Sequence, residues 1–401
     1  MKKTTVILII AALIFSLPTA AAEVLEKNWD EIVNEAEGKT VNFYMFGGDR
    51  RTNNWVDTFV ADNLKEEYNI HVHRVPMGPD DYLNKLLGEK QIGRKTGSID
   101  LLWINGENFK IAKENELLFG PFVDKLPNFN KYIDKDSKSV THDFGYPTEG
   151  YEAPYGKAQF TFIYDSAKTA EAPADFEALT AWIKNNPGKF TYAALPDFTS
   201  SAFVRHVIYN TCGDYEQFYN MDEAEFKSTI QPAVEYLKEI EPYLWREGES
   251  YPATQAQLDN LYADGEVWMT MGYHPTKAAG EIEKGNFPES SRSFVIEEGT
   301  ISNTHFLAIP FNAPQKEAAL VAANFLLSFK AQYDKMIPAN WGDFTVLDTE
   351  KLSEEQKNEF ENIDLGKATL SLERLEAHRV PEIPAKWVPI IEEIWSEEVA
   401  R

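Results

Sequence analysis

Residues 299–330 read GTISNTHFLAIPFNAPQKEAALVAANFLLSFK. His305 to Ile309 is a short apolar run that ends at Pro310, a residue with no N–H for a strand ladder, and it reads as a strand. Asn312-Ala313-Pro314 reads as a turn. An amphipathic helix then opens, with Ala318, Val321, Ala322, Phe325 and Phe329 on one face at helical spacing. Strand, turn and helix in this order are the signature of an α/β chain, and their meaning depends on what precedes them.

What precedes them is a regular alternation. Trp29 to Glu37 predicts a helix that stops at Gly38, and Val41 to Phe46 a strand broken by Gly47-Gly48-Asp49. A helix follows over Asn54 to Glu67, with Trp55, Phe59, Leu64 and Tyr68 as its inner face. Then come a strand at Ile70 to Val75, a helix at Tyr82 to Leu87 and an apolar strand at Ile99 to Ile104. Alternating strands and helices imply parallel pairing in a doubly wound sheet. Ligands of such sheets bind beyond the carboxyl ends of the strands, which singles out the loops Gly47-Gly48-Asp49 and Asn105-Gly106-Glu107-Asn108.

Ala158 to Tyr164 reads as a strand crossing into a second lobe. That lobe would hold a helix at Phe176 to Asn185, a strand at Phe190 to Leu195 and a helix at Phe203 to Thr211. A helical pair around Gln231 to Leu244 and a strand at Val267 to Met271 would complete it, and Thr304 to Ile309 would carry the chain back. The expected organisation is a first lobe of residues 23–159, a second lobe of 160–304, a return to the first over 305–345, and a helical tail of 346–401. Pro381, Pro384 and Pro389 bend the tail into a final Trp387–Trp395 segment, and the pattern does not say which lobe it packs on. No internal repeat or low-complexity tract interrupts the chain.

At the N-terminus, Lys2 and Lys3 precede an apolar run, Val6 to Phe15, followed by Pro18 and the small residues Ala20-Ala21-Ala22. This predicts a cleaved signal peptide over residues 1–22 and release into a periplasm, with no cysteine at the cleavage site for a lipid anchor. The remaining 379 residues carry a formal charge of −27, against −25 for the whole chain. Such acidity argues against nucleic acid, whose phosphates would be repelled. Cys212 is the only cysteine, so no internal disulfide and no thiolate metal cluster can form; it is expected as a small buried side chain.

Three further elements stand out: GRKTGSIDLLWINGENF (Gly93 to Phe109), PTEGYEAPYGKAQFTF (Pro147 to Phe162) and LPDFTSSAF (Leu195 to Phe203). With the crossing segment quoted first, they resemble the YnjB-type family of periplasmic solute-binding components of ATP-binding-cassette importers. The resemblance runs from about Trp29 to about Leu347. It implies the type II periplasmic-binding fold, an α/β Venus-flytrap of two lobes with a ligand cleft between them and hinges in the crossing strands, near Phe160 to Tyr164 and Phe306 to Ile309. It also implies a membrane permease as partner. It does not select a solute, since broader relatives bind thiamine, polyamines, sulfate and ferric iron.

Candidate ligand-binding residues follow from position and chemistry. Asp197, Thr199 and Ser200 lead into a helix, where free N–H groups can hold an anion or merely be capped. Asp49, Glu107, Glu149, Glu152 and Asp343 lie in expected loops near the aromatics Trp103, Tyr155, Tyr273 and Trp341. A carboxylate beside an aromatic face suits an organic cation, although core or hinge packing also explains the aromatics. Gly48 belongs to the first loop, Asn105 and Gln159 could orient a ligand by hydrogen bonds, and the loop Tyr273-His274-Pro275 is expected to face the cleft. His71 and His73 share a strand face but lack a third ligand nearby, and no adjacent tyrosine pair exists of the kind iron-binding relatives use. Neither a metal nor a cofactor is therefore expected.

No Gly-x-Ser-x-Gly, His-Glu-x-x-His or Walker-type loop is present. The reading is thus a monomeric, non-enzymatic carrier of a small solute with cationic or aromatic and anionic parts. A thiamine-like molecule, its pyrimidine precursor and an amino acid derivative all fit. A secreted hydrolase and a structural periplasmic protein are the alternatives.

Overall fold

The quoted stretch forms the longest described strand, Thr300–Ala308, and a helix, Lys316–Leu326, in a computed structural model that describes residues 20–400. The strand begins ahead of the apolar run because polar Ser302, Asn303 and Thr304 are paired along the main chain with a neighbouring strand. Residues 1–19 of the expected signal peptide lie outside the described residues; Ala20-Ala21-Ala22 open a helix, Ala20–Glu26. Among the described residues no helix is long and apolar enough to cross a membrane.

Thr40–Met45 (β1), His71–Pro76 (β2) and Leu101–Ile104 (β3) are parallel, with β1 between the other two, as the alternation predicts. A short hairpin of His142–Asp143 (β4) and Tyr146–Pro147 (β5) stands apart. Glu152–Gln159 (β6) and Thr161–Asp165 (β7) form the expected crossing, separated by Phe160 alone. Met269–Gly272 (β8), Ser291–Phe294 (β9), Thr300–Ala308 (β10) and Arg379–Pro381 (β11) complete the set. The first sheet runs β11-β10-β3-β1-β2, with β6 on the other edge of β10. The β10 strand is antiparallel to β3 and β6 and parallel to β11.

The second sheet, β8-β7-β9, is antiparallel throughout. It lacks the strand expected at Phe190 to Leu195: that segment is extended and buried, but its backbone bonds go to loops, from Trp245 N to Phe190 O and from Ala194 N to Pro252 O, each at 2.8 Å. Apolar residues thus identified a buried segment without identifying a ladder partner.

Two large cores follow from these sheets. The helix Lys316–Leu326 packs in the first, where every residue from Ala318 to Leu326 is buried, not one face alone. Each fully buried leucine or phenylalanine there contributes about 1.5–3 kcal/mol. Its buried Asn324 is satisfied by Asn128, through Asn128 N to Oδ1 and Asn128 Nδ2 to the carbonyl, both at 2.8 Å. A smaller cluster around Tyr82, Leu86, Leu102 and Phe109 covers the other face of the first sheet, as doubly wound packing requires. The second core gathers Phe162, Phe203, Leu237 and Met269. The chain passes between the cores at Phe160, whose N–H donates to Ile301 O at 2.8 Å.

Helix boundaries differ modestly from expectation. The helix over Asn54 to Glu67 is the centre of a continuous helical run from Arg50 to Tyr68 with a π-turn at Val56–Val60. It ends on Asn69 in the left-handed conformation, φ 54°. The helix predicted from Phe203 starts at Phe198. The tail is divided: Phe360 and Leu375 join the first core, β11 crosses, and Trp387, Ile391 and Trp395 join the second. Cys212, expected buried, is half-exposed beside Thr211.

At the crossing, buried Gln159 donates through Nε2 to Thr300 Oγ1 at 3.1 Å, Leu375 O at 3.0 Å and His378 O at 3.2 Å, tying all three crossing segments together. Gln159→Ala leaves buried carbonyls unpaired and is expected to cost about 1–3 kcal/mol. Urea unfolding of the two proteins checks this; an unchanged midpoint would refute the role.

Candidate functional site

The floor of the space between the lobes is aromatic. On β3, Trp103 points its ring edge-on to Tyr155 of β6 at 5.5 Å and to His305 of β10 at 4.7 Å. Trp341 stacks with His305 at 6.3 Å and meets Trp55, Trp103 and Tyr155 at 5.3, 5.8 and 6.0 Å. Trp103, Tyr155 and His305 stand on the neighbouring strands β3, β6 and β10, so the pairing of β10 with both partners brings three of the rings together. His274, on the loop that follows β8, faces the same rings from the second lobe, 6.0 Å from His305 and 6.4 Å from Trp341.

Under these rings lies a fully buried ion pair. Lys335 Nζ donates to Asp343 Oδ2 at 2.9 Å, Tyr155 O at 2.7 Å and Phe344 O at 2.8 Å, which uses all three of its protons. Burial opposes charge on Asp343, but Lys335 and the two nearby imidazoles outweigh it and hold the carboxyl well below its ordinary range. Backbone room is needed here: a Cβ at Gly156 would lie 2.0 Å from Asp343 Oδ2 and 2.9 Å from the His305 ring.

A second charged group sits where the lobes face each other further along. Arg205, on the buried face of the helix Phe198–Cys212, grips Glu382 through Nε at 2.9 Å and Nη2 at 3.0 Å, and Ser201 through Nη1 at 2.7 Å. The Tyr273 hydroxyl also donates to Glu382. Opposite, on the first lobe, burial raises the Glu107 carboxyl above its ordinary value, with Arg205 opposing that rise in part. Burial raises Asp143 and Glu152 well above the usual carboxylate range. Asp143 accepts Gly106 N, whereas neither Glu152 oxygen has a hydrogen-bond partner among the described residues.

This two-lobed arrangement has relatives. Residues 59–361 match the family model described as bacterial extracellular solute-binding protein. The chain belongs to that family. A curated member similar to this solute-binding protein is protein YnjB of Escherichia coli, 40% identical over 352 residues, covering 87% of this chain and 89% of YnjB. Among solved structures, an ABC transporter protein from Clostridium perfringens superposes with a TM-score of 0.63 at 17% identity, over 89% of this chain and 98% of its own. A spermidine/putrescine substrate-binding protein from Streptococcus pneumoniae gives 0.62 at 15% identity, over 90% and 98%. At those identities the structural likeness establishes the two-lobe fold.

Of the residues expected to bind solute in this family member, Trp103, Tyr155 and Trp341 come together in one ring cluster, whereas Tyr273 packs in the second core against Phe160 and Phe198. Gly48 and Asp49 follow β1, with Gly48 against the exposed Phe46 ring and Asp49 close enough to His274 for the two charges to interact. Asp49 caps a helix, accepting Thr52 N at 2.8 Å; burial raises its pKa, but that amide and the charges of His274 and Arg51 outweigh burial and lower it. Asn105 bridges Trp103 and the crossing strand, accepting Trp103 Nε1 at 2.9 Å and donating to Thr304 O at 2.5 Å. Glu107 is partly exposed.

Four expected ligand residues are turned to other work. Gln159 holds the crossing, and Glu152 is buried away from the rings. Asp197 caps the helix through Ser200 N at 3.1 Å and accepts Gln255 N at 2.8 Å, while the Ser200 hydroxyl accepts Ala193 N at 2.8 Å. With the Asp197 carboxylate already on the Ser200 amide and its negative charge beside the helix start, this end of the helix is a poor anion site. His71 and His73 sit on the surface, bonded to Lys65 and Asn42.

His305, Lys335, Arg205 and Glu382 had not been singled out. Arg205 and Lys335 did leave a trace, as charges set among apolar residues on helical faces that pack inward. A solvent-open recess of about 510 Å³ near Ala279, Pro338 and Lys367 contains none of the ring cluster.

Two outcomes are expected. Lys335→Met strands the Asp343 charge and should cost about 3–5 kcal/mol in urea unfolding. The Glu152 carboxyl titrates higher folded than unfolded, so its stabilising share is full in acid, below the unfolded value of about 4.3, and is lost as pH rises through the folded value. Glu152→Gln should therefore raise the unfolding midpoint more in mildly alkaline than in acid buffer; an equal shift at both pH values refutes it.

Proposed function

We propose that this chain captures a small organic solute between its lobes and delivers it to the membrane permease of an ATP-binding-cassette importer, acting in the periplasm after signal-peptide removal. The lobes are taken as residues 23–159 with 305–345, and 160–304, with the tail shared between them. Closure would bend the crossings at Phe160 and within β10, as ligand bridges the two sides.

The observation that carries the solute class is the ring floor of Trp103, Tyr155, His305 and Trp341 with the charge-favouring Asp49 on its rim. Exposed Phe46 on the first lobe and Phe198 on the second add aromatic edges, Phe198 lying 5.0 Å from Tyr273. Such a surface suits a planar or positively charged group, held by stacking, cation–π attraction and a carboxylate. A thiamine-like molecule meets that description, and so does a polyamine of the kind bound by the Streptococcus pneumoniae relative. The anionic end expected at Thr199 is dropped from the reading, because the Asp197 carboxylate already holds the Ser200 amide and would repel an anion there.

The test is to purify the mature protein natively, denature it and identify released compounds by mass spectrometry, with thermal-shift screening of vitamins, polyamines and amino acids on refolded protein. A co-purifying cation or heteroaromatic that raises Tm is expected. Trp103→Ala should weaken its binding about 2- to 30-fold, the range of a partly desolvated cation–π contact. Asp49→Asn, which keeps the helix cap, should weaken a cationic ligand and spare a neutral one. A ligand indifferent to both changes would sink the reading.

A further inference from the structure

Three side chains of metal-binding type converge beside the ring floor. His274 comes from the second lobe, His305 from the crossing strand β10 and Asp343 from the turn after Trp341. One ligand atom from each lies within 4.8 Å of the others. His274 Nδ1 is 3.6 Å and His305 Nε2 3.4 Å from Asp343 Oδ1. A first-row ion with ligands at about 2.1 Å keeps neighbouring ligand atoms about 3.0–3.4 Å apart, so the two His–Asp separations match coordination to within a few tenths of an ångström, and the two imidazoles, within 4.8 Å of each other, would draw together on the ion.

The same atoms are unsatisfied in any other way. His274 Nδ1, both His305 ring nitrogens and Asp343 Oδ1 are buried without a hydrogen-bond partner, as is Trp341 Nε1. The His–Asp separations exceed ordinary hydrogen-bond lengths. Three orphaned polar atoms converging there, one from each residue, would cost several kcal/mol if nothing met them. Their orientation is fixed from behind: Lys335 engages only Oδ2 of Asp343 and spends its other protons on two carbonyls, leaving Oδ1 aimed at the imidazoles.

We propose that His274 Nδ1, His305 Nε2 and Asp343 Oδ1 form a binding site for one divalent first-row metal ion, with Zn2+ as the probe. Two imidazoles and one carboxylate leave a fourth position open, the pattern of an exchangeable site and not of a closed structural one. Because His274 belongs to the opposite lobe from Asp343, the ion would join the lobes at the base of the cleft. The Lys335 ammonium on the far carboxylate oxygen withdraws charge from the site, which sets it below closed structural sites in affinity. The proposal goes beyond the organic solute discussed above and needs none to be present.

The test uses the mature chain, stripped with a chelator and titrated with Zn2+ alone, by calorimetry and by metal analysis after dialysis. One equivalent is expected, and Co2+ in its place should give the visible absorption of a four- or five-coordinate ion. His274→Ala, at a partly exposed loop position, should weaken Zn2+ by about 100-fold or more, beyond the range of outer-shell changes. His71→Ala, on the surface, should leave binding unchanged. Should His274→Ala fail to fold, His274→Gln takes its place, and the Co2+ spectrum of the wild type stands as the second measurement. Binding retained by a folded His274 variant, or no stoichiometric binding by the wild type, overturns the site.

Discussion

Everything in this molecule is arranged around the antiparallel pairing of β6 with β10. Their register runs from Ser302 opposite Gln159 to Ala308 opposite Glu152, with one irregularity at His305/Phe306. At one end the pair is part of a doubly wound sheet; at the other it leads through Phe160 into an antiparallel sheet with its own core. A ladder built from a few backbone bonds can bend at such a junction without disturbing either core, since packed interiors resist deformation. The register irregularity falls at His305, the crossing-strand residue that presents its ring to Trp103 and Trp341. Irregular pairing of this kind re-aims a side chain.

The space between the lobes is unusual in how much charge it keeps out of water. Lys335 and Asp343 are wholly buried, as are Arg205 and Glu382. Desolvation of such pairs roughly offsets their attraction, so they add little net stability relative to a well-packed apolar core. Their effect is positional. Each charge fixes the direction of its partner. Acidic residues that lack a basic partner, Asp143 and Glu152, respond to burial by holding protons more tightly.

Much of the fold was legible in the sequence because burial imposes periodicity. The parallel β1–β3 unit, the crossing at Phe160 and the helix after β10 all follow from apolar spacing. Pairing partners are not local, and for that reason the antiparallel second sheet and the ladderless Phe190–Leu195 segment escaped the pattern. The candidate site was legible in part. Trp103, Tyr155 and Trp341, picked out as aromatics near expected strand ends and turns, lie together in the structure. His274, His305 and Asp343 are separated by 31 and 38 residues, and only the three-dimensional path of the chain makes them neighbours. Ser200 and Asp197 looked like ligand residues because capping and anion binding call for the same side chains.

The third crossing has a consequence for the order in which the protein is completed. Glu382, which neutralises Arg205 and accepts the Tyr273 hydroxyl, and Trp387, whose ring stacks on Phe226 at 4.1 Å, arrive only with the last twenty residues. The first sheet is complete once β11 at Arg379–Pro381 has paired, and its core draws on nothing beyond Leu375. A chain cut after residue 381 would therefore lose the partners of Arg205 and Phe226 in the second core while keeping every member of the first.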